Sequence, residues 1–151
     1  MKKLHAVIMA TVALLAAPVA SFAQNGVWTS VGSAGTTIDE ADLGIYAVEG
    51  GDLFFAPNTI GTINARYNVV NTANVNFEMP VWTTLEIGYT DTNAAGFVKA
   101  YLWEVNPCTV AKVLLCSVTS SNNGVACKTC NFPAVSFNFL TNLYYVGVEV
   151  T

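Results

Sequence analysis

The strongest structural signal in the chain is an alternation of apolar and polar residues with a period of two. In residues 63–69, for example, Ile63, Ala65 and Tyr67 fall on one side, and Asn64 and Arg66 fall on the other. Such alternation is typical of a β-strand that buries one face and exposes the other. The same pattern recurs in residues 74–81, 84–89, 135–139 and 144–150.

Turn-forming residues separate these segments at intervals of about ten residues, at positions 50–52, 91–93, 106–107 and 120–124. Short strands at this spacing predict an all-β, antiparallel two-sheet β-sandwich of jelly-roll type, with about eight strands. Almost no helix is expected, because the best helical candidate is a single turn near residues 38–43. The turn at 91–93 predicts a hairpin that joins residues 86–90 to residues 97–105.

The N-terminal segment predicts a cleavable secretory signal peptide, residues 1–23. Lys2 and Lys3 precede an uncharged stretch over 6–20, and Ser21 and Ala23 supply the small residues that a signal peptidase reads. We expect cleavage after Ala23, which leaves a single domain over residues 24–151. Such a product would be secreted, periplasmic or extracellular, with no stable membrane anchor.

Removal of this segment would change the chemistry that the domain can perform. The chain has six basic residues, ten acidic residues and one histidine. Lys2, Lys3 and His5 would be lost, so four basic residues would remain against ten acidic ones, a charge of −6. An acidic domain disfavours nucleic-acid binding. A domain without imidazole has no histidine-based triad and no histidine metal site, so we expect it not to be an enzyme. We also expect no cofactor and no metal site, apart from the calcium alternative at the acidic cluster described below.

Four cysteines lie within 23 residues: Cys108, Cys116, Cys127 and Cys130. An even number in an exported chain predicts two disulfides, for which three pairings are possible. Hairpin geometry favours Cys116 with Cys127 and Cys108 with Cys130, which would clamp a long loop over 120–133. Cys127 and Cys130 also have the C-x-x-C spacing of redox and metal sites, but loop and strand flanks favour disulfides.

Acidic residues provide two further candidates. The cluster Asp39-Glu40-Ala41-Asp42 predicts a calcium site or, preferably, a solvated turn or helix N-cap. Glu86 and Glu104 are candidates for the carboxylate pair of a glycoside hydrolase, although a surface ion pair is the favoured interpretation.

The most aromatic segment, residues 97–105, contains Tyr101 and Trp103 on one side of a predicted strand. With Lys99, Glu104 and the Asn-rich residues 64–68 nearby, these rings are candidate ligand-binding aromatics, because aromatic rings stack on the apolar faces of pyranoses. The alternative, which the pattern favours, is a central strand that is buried on both faces, or an aromatic core of the sandwich.

These features predict an exported, non-catalytic β-sandwich that binds a ligand such as a carbohydrate, or that assembles at a cell surface. Assembly would use self-association through edge strands, which carry few lysines to block it. The alternatives are a carboxylate-dependent glycoside hydrolase and a small outer-membrane β-barrel. Four cysteines, and aromatics spread along the strands, count against the barrel.

Overall fold

The computed structural model describes residues 28–72, 79–91, 94–121 and 124–151. The predicted signal peptide and most of the strand predicted over 74–81 lie outside these ranges. The described residues form nine strands and two short 3-10 helices, which confirms the all-β, sandwich-like fold. The strands are β1 (Thr36–Thr37), β2 (Tyr46–Glu49), β3 (Asp52–Phe55), β4 (Ile63–Val69), β5 (Val81–Asp91), β6 (Val98–Val105), β7 (Lys112–Thr119), β8 (Gly124–Ser136) and β9 (Leu143–Val150), and the 3-10 helices are Gly32–Ala34 and Glu40–Gly44.

The larger sheet is antiparallel and has five strands in the order β1-β4-β9-β6-β7. Strand β9 lies between β4 and β6, so Val146 pairs with Tyr67 on one side and with Leu102 on the other. All three side chains are buried, because the period-two pattern turns them to the same inner face.

The second sheet, which we call the smaller sheet, is a long ribbon in which β5 pairs antiparallel with β8. Its inner residues pack on the inner face of the larger sheet around Phe137, which is fully buried and lies 4.6 Å from the Tyr144 ring, centroid to centroid. The two sheets therefore enclose one apolar core. Its buried members are Ala65, Tyr67, Val69, Leu85, Ala100, Leu102, Cys116, Val118, Phe132, Phe137, Tyr144 and Val146.

The third sheet is the short hairpin of β2 and β3. Its two-residue turn is Gly50-Gly51, with φ of 60° and 101°. A two-residue turn with both φ values positive matches the right-handed twist of the flanking strands, and glycine adopts that conformation without a steric penalty. The turn predicted at residues 50–52 is therefore present.

The hairpin predicted between residues 86–90 and 97–105 is wrong. Strand β5 pairs with β8, whereas β6 pairs with β7 and β9, so the chain crosses from one sheet to the other after Asp91. The long loop predicted over 120–133 is also wrong, because β8 begins at Gly124 and continues to Ser136. Turn residues mark where a strand ends, but they do not determine whether the next strand returns to the same sheet.

Candidate functional site: the outer face of the larger sheet

Tyr101 and Trp103 lie on the solvent-facing side of the larger sheet. Their neighbours in β6, Ala100 and Leu102, are buried in the core, so alternation directs the two rings outward. Both rings are half-buried, and their centroids lie 6.4 Å apart with an interplanar angle of 29°. Although β6 is an internal strand of the sheet, it is not buried on both faces.

Cross-strand pairing brings a third ring to this surface. Tyr145 of β9 pairs with Trp103, and on its other side with Asn68 of β4. Trp103 in turn pairs with Leu114 of β7. Directly paired residues of an antiparallel sheet share a face, so these four side chains form a row across four strands, about 14 Å wide at the usual strand spacing.

A second row runs parallel to the first, one alternation along the strands. Arg66, Gly147, Tyr101 and Ser117 are successive partners on β4, β9, β6 and β7. Because Gly147 has no side chain, the row is low at its centre and has Arg66 and Tyr101 on either side. We call the solvent-facing side of the five strands, centred on Tyr101, Trp103 and Tyr145, the outer face.

Charged side chains are held against two of the rings. The Arg66 guanidinium carbon lies 4.5 Å from the centroid of the Tyr145 ring, and the Lys99 ammonium lies 4.8 Å from that of Tyr101. The Tyr101 hydroxyl donates a hydrogen bond of 3.1 Å to the Glu149 carboxylate. Cation–π contacts at exposed sites are worth about 0.5–1 kcal/mol. They are strong enough to orient the cations, but weak enough for a ligand to displace the cations from the ring faces.

The sequence does not identify three residues of the outer face as site residues: Tyr145, Glu149 and Arg66. The alternation in residues 144–150 does turn Tyr145 and Glu149 away from the core side, so their outward direction could be read from the pattern. Their position beside Trp103 and Lys99 follows only from the pairing of β9 with β6.

Glu104 lies on the opposite side of β6 from the aromatic rings. It pairs with Tyr144 and accepts a hydrogen bond from the Asn142 side-chain amide. Burial raises the pKa of the Tyr144 hydroxyl, the Glu104 charge raises it further, and hydrogen bonds with Asn142 and Asn138 oppose the shift. Glu104 is therefore a neighbour of the core and not a member of the outer face.

The structure does not bring Glu86 and Glu104 together. Glu86 is exposed in β5 of the smaller sheet, where it pairs with Thr129, whereas Glu104 belongs to the larger sheet. A glycosidase needs two carboxyl groups on either side of one scissile bond. These two carboxylates do not share a face or a sheet.

The cysteine pairing favoured by hairpin geometry is wrong. A disulfide joins Cys116 of β7 to Cys130 of β8, with their Cα atoms 6.2 Å apart, and Cys108 and Cys127 are free and exposed. Because β7 and β8 belong to different sheets, only residues that face inward on both can meet. Cys130 faces inward, and Cys127, three positions earlier, faces outward, so Cys127 cannot reach Cys116. The C-x-x-C pair is split between the two faces.

The acidic cluster at Asp39 begins a 3-10 helix and is not a group of free carboxylates. The Asp39 side chain accepts a hydrogen bond of 2.9 Å from the Ala41 amide, which is the geometry of an N-cap. Asp42 is buried, and its carboxylate accepts a 2.9 Å hydrogen bond from the backbone amide of Asn64 at the start of β4. Within residues 28–72, 79–91, 94–121 and 124–151, no three metal-ligating side chains form a group that could hold a metal ion.

One end of the sandwich carries a cleft of about 450 Å³. Apolar side chains that include Phe55, Ile60 and Phe97 line it, together with the buried Asp91. The Ser120 hydroxyl donates a hydrogen bond to the Asp91 carboxylate, so this charge is part of an internal network.

The fold and the outer face together define an all-β, sandwich-like protein whose larger sheet presents aromatic and charged side chains to solvent. In the described part of the chain, no helix is long and apolar enough to cross a membrane. Comparisons with protein families, with curated proteins and with solved structures found no match to this chain.

Proposed function

We propose that this chain is an exported, non-catalytic carbohydrate-binding protein that binds polysaccharide on the outer face of its larger sheet. The observation that carries the proposal is the pairing of Trp103 with Tyr145, with Tyr101 beside them on the same face. Three half-buried rings within two rows offer an apolar surface that several sugar units can contact.

Polar groups surround these rings where sugar hydroxyls would lie. Asn64 and Asn68 border the outer face on β4, and Ser117 and Thr119 border it on β7. Amide and hydroxyl groups both donate and accept hydrogen bonds, as sugar hydroxyls do. This mixture of rigid rings and small polar groups supports a sugar ligand over a purely apolar one.

The strands make the surface rigid before the ligand binds. The rings project from β6 and β9, which are internal strands of the sheet, paired on both sides. A preorganised surface loses little conformational freedom on binding, which favours affinity. An open face across several strands suits an extended polymer better than a small molecule, which binding proteins usually enclose in a pocket.

The test is a glycan-binding screen of the oxidised protein, followed by titration of each polysaccharide that binds. The variant Trp103→Ala should weaken binding at least tenfold, since buried aromatic contacts dominate most interfaces. Phe54→Ala is the matched control: Phe54 is a partly exposed aromatic on β3, away from the outer face, and its loss should leave affinity unchanged. Far-ultraviolet circular dichroism verifies that both variants fold. If Phe54→Ala weakens binding as much as Trp103→Ala, the outer face is not the binding site.

A second candidate, self-association at a cell surface, is favoured by the open edge of β8 in the smaller sheet. Within the described residues β8 pairs only with β5, so its other edge has no strand partner there. Val125 on β8 is also 83% exposed. Unpaired edges and exposed apolar residues promote strand addition between copies. Size-exclusion chromatography over a range of concentrations tests it, and a monomer at every concentration would contradict assembly.

A further inference from the structure

The basic residues of this acidic chain are concentrated on the outer face. Four basic residues follow the predicted signal peptide: Arg66, Lys99, Lys112 and Lys128. Arg66 and Lys99 are held over Tyr145 and Tyr101. Lys112 pairs with Val105, which alternates with Trp103 on the same side of β6, so Lys112 belongs to the outer face too.

Acidic residues are distributed the other way. Nine of the ten lie in the described residues, and by strand register Glu149 is the one that belongs to the outer face. Three positive charges and one negative charge give the outer face a net charge of +2, in a chain whose formal net charge is −4. Charge segregation of this kind creates a local potential opposite in sign to that of the whole protein.

The single acidic group on the outer face is already engaged. Glu149 accepts the hydrogen bond from the Tyr101 hydroxyl, and it pairs directly with Lys99 across the strands. Arg66 and Lys112 lie on other strands, β4 and β7, and both are exposed. The cations therefore flank the rings on both sides.

From this arrangement we propose that the ligand is an acidic polysaccharide, one that carries carboxylate, sulfate or phosphate groups along a pyranose chain. The proposal rests on the function proposed above and adds the charge of the ligand to it. The rings contact the apolar faces of the sugars, while Arg66, Lys99 and Lys112 contact the acidic groups. Arg66 suits a planar, bidentate contact with a carboxylate, and the lysines act as point charges.

The charge on the ligand should contribute a moderate part of the affinity. Exposed ion pairs are individually weak, so three of them together account for about a tenfold difference in affinity. The contribution should fall with ionic strength, because the screening length shortens from about 30 Å at 0.01 M salt to about 8 Å at 0.15 M.

The experiment compares two polymers with the same backbone, polygalacturonate and its fully methyl-esterified form, by isothermal titration at low and at physiological salt. Polygalacturonate should bind about tenfold more tightly at low salt, and the difference should narrow as salt is added. The triple variant R66Q/K99Q/K112Q should remove the preference. Lys128→Gln is the control, because Lys128 lies on β8 of the other sheet, and its ammonium donates to the backbone carbonyl of Thr119. This variant should keep the preference.

Each other outcome overturns a defined part of the reasoning. Equal affinity for both polymers overturns the proposal of an acidic ligand but is consistent with a carbohydrate-binding face. If neither polymer binds, the proposal of an acidic ligand is also overturned, and the wider glycan screen then tests the proposed function. Equal affinity for duplex DNA, a polyanion without pyranose rings on its surface, would make the outer face a general polyanion surface and would also overturn the proposal. Loss of the preference in Lys128→Gln would show that net charge, and not this face, determines it.

Discussion

Removal of the disulfide between Cys116 and Cys130 tests how the two sheets are held together. The bond closes a segment with a sequence separation of 14, and it joins β7 of the larger sheet to β8 of the smaller one. A cross-link over a loop of about this length limits the freedom of the unfolded chain, which corresponds to about 3 kcal/mol at 25 °C. The double variant Cys116→Ala/Cys130→Ala should therefore lose about 3 kcal/mol of unfolding free energy.

This loss is large beside the total stability of a domain, which is about 5–15 kcal/mol. In urea, with a slope of about 1–3 kcal/mol per molar, the midpoint should fall by about 1–3 M. The slope itself should rise, because an unfolded chain without the cross-link exposes more surface. Unfolding free energies, and not midpoints alone, are therefore the quantities to compare.

The double variant Cys108→Ala/Cys127→Ala is the matched control. Both of its thiols are free and exposed, so its stability should stay within about 0.5 kcal/mol of the parent. Peptide mapping of the oxidised protein should recover Cys116 joined to Cys130. An equal loss of stability in the control, or a peptide map that joins Cys116 to Cys127, would contradict this role of the disulfide.

Three further predictions concern the body of the fold. Tyr67→Phe should lower stability by about 1 kcal/mol, since the buried Tyr67 hydroxyl donates a 2.7 Å hydrogen bond to the Gly32 carbonyl. Burial also raises the pKa of the Tyr67 hydroxyl above its usual value of 10.0. The parent protein should therefore lose unfolding free energy as the pH rises above 10, and chemical unfolding should show a smaller alkaline loss in the variant. Val110→Gly should raise the melting temperature, because Val110 has φ of 58° and a β-branched residue is strained there; an unchanged or lower value would refute this. Asp42→Ala should lose about 1.5–3 kcal/mol in urea unfolding, because the Asn64 amide loses its charged acceptor, and a loss below about 0.5 kcal/mol would contradict that role.

Period-two alternation determined which side of each strand a residue occupies. It separated Tyr67 from Arg66 and Tyr144 from Tyr145, and it contains the information that Cys127 and Cys130 face opposite sides of β8. This follows from the backbone alone, because successive side chains of a strand point to opposite faces. The turn at Gly50-Gly51 was predictable for a similar local reason, since few residues tolerate two successive positive φ angles.

Only the tertiary structure decided which strands are neighbours. Alternation fixes the face of a strand but not its partner, and a short polar connection can form either a hairpin or a crossing between sheets. For that reason the sequence predicts β5 beside β6, whereas β5 pairs with β8. It likewise favours Cys116 with Cys127, whereas the disulfide joins Cys116 to Cys130. The same long-range pairing placed Tyr145 of β9 beside Trp103 of β6, and it assembled from four separate strands a surface that no single segment of the sequence contains.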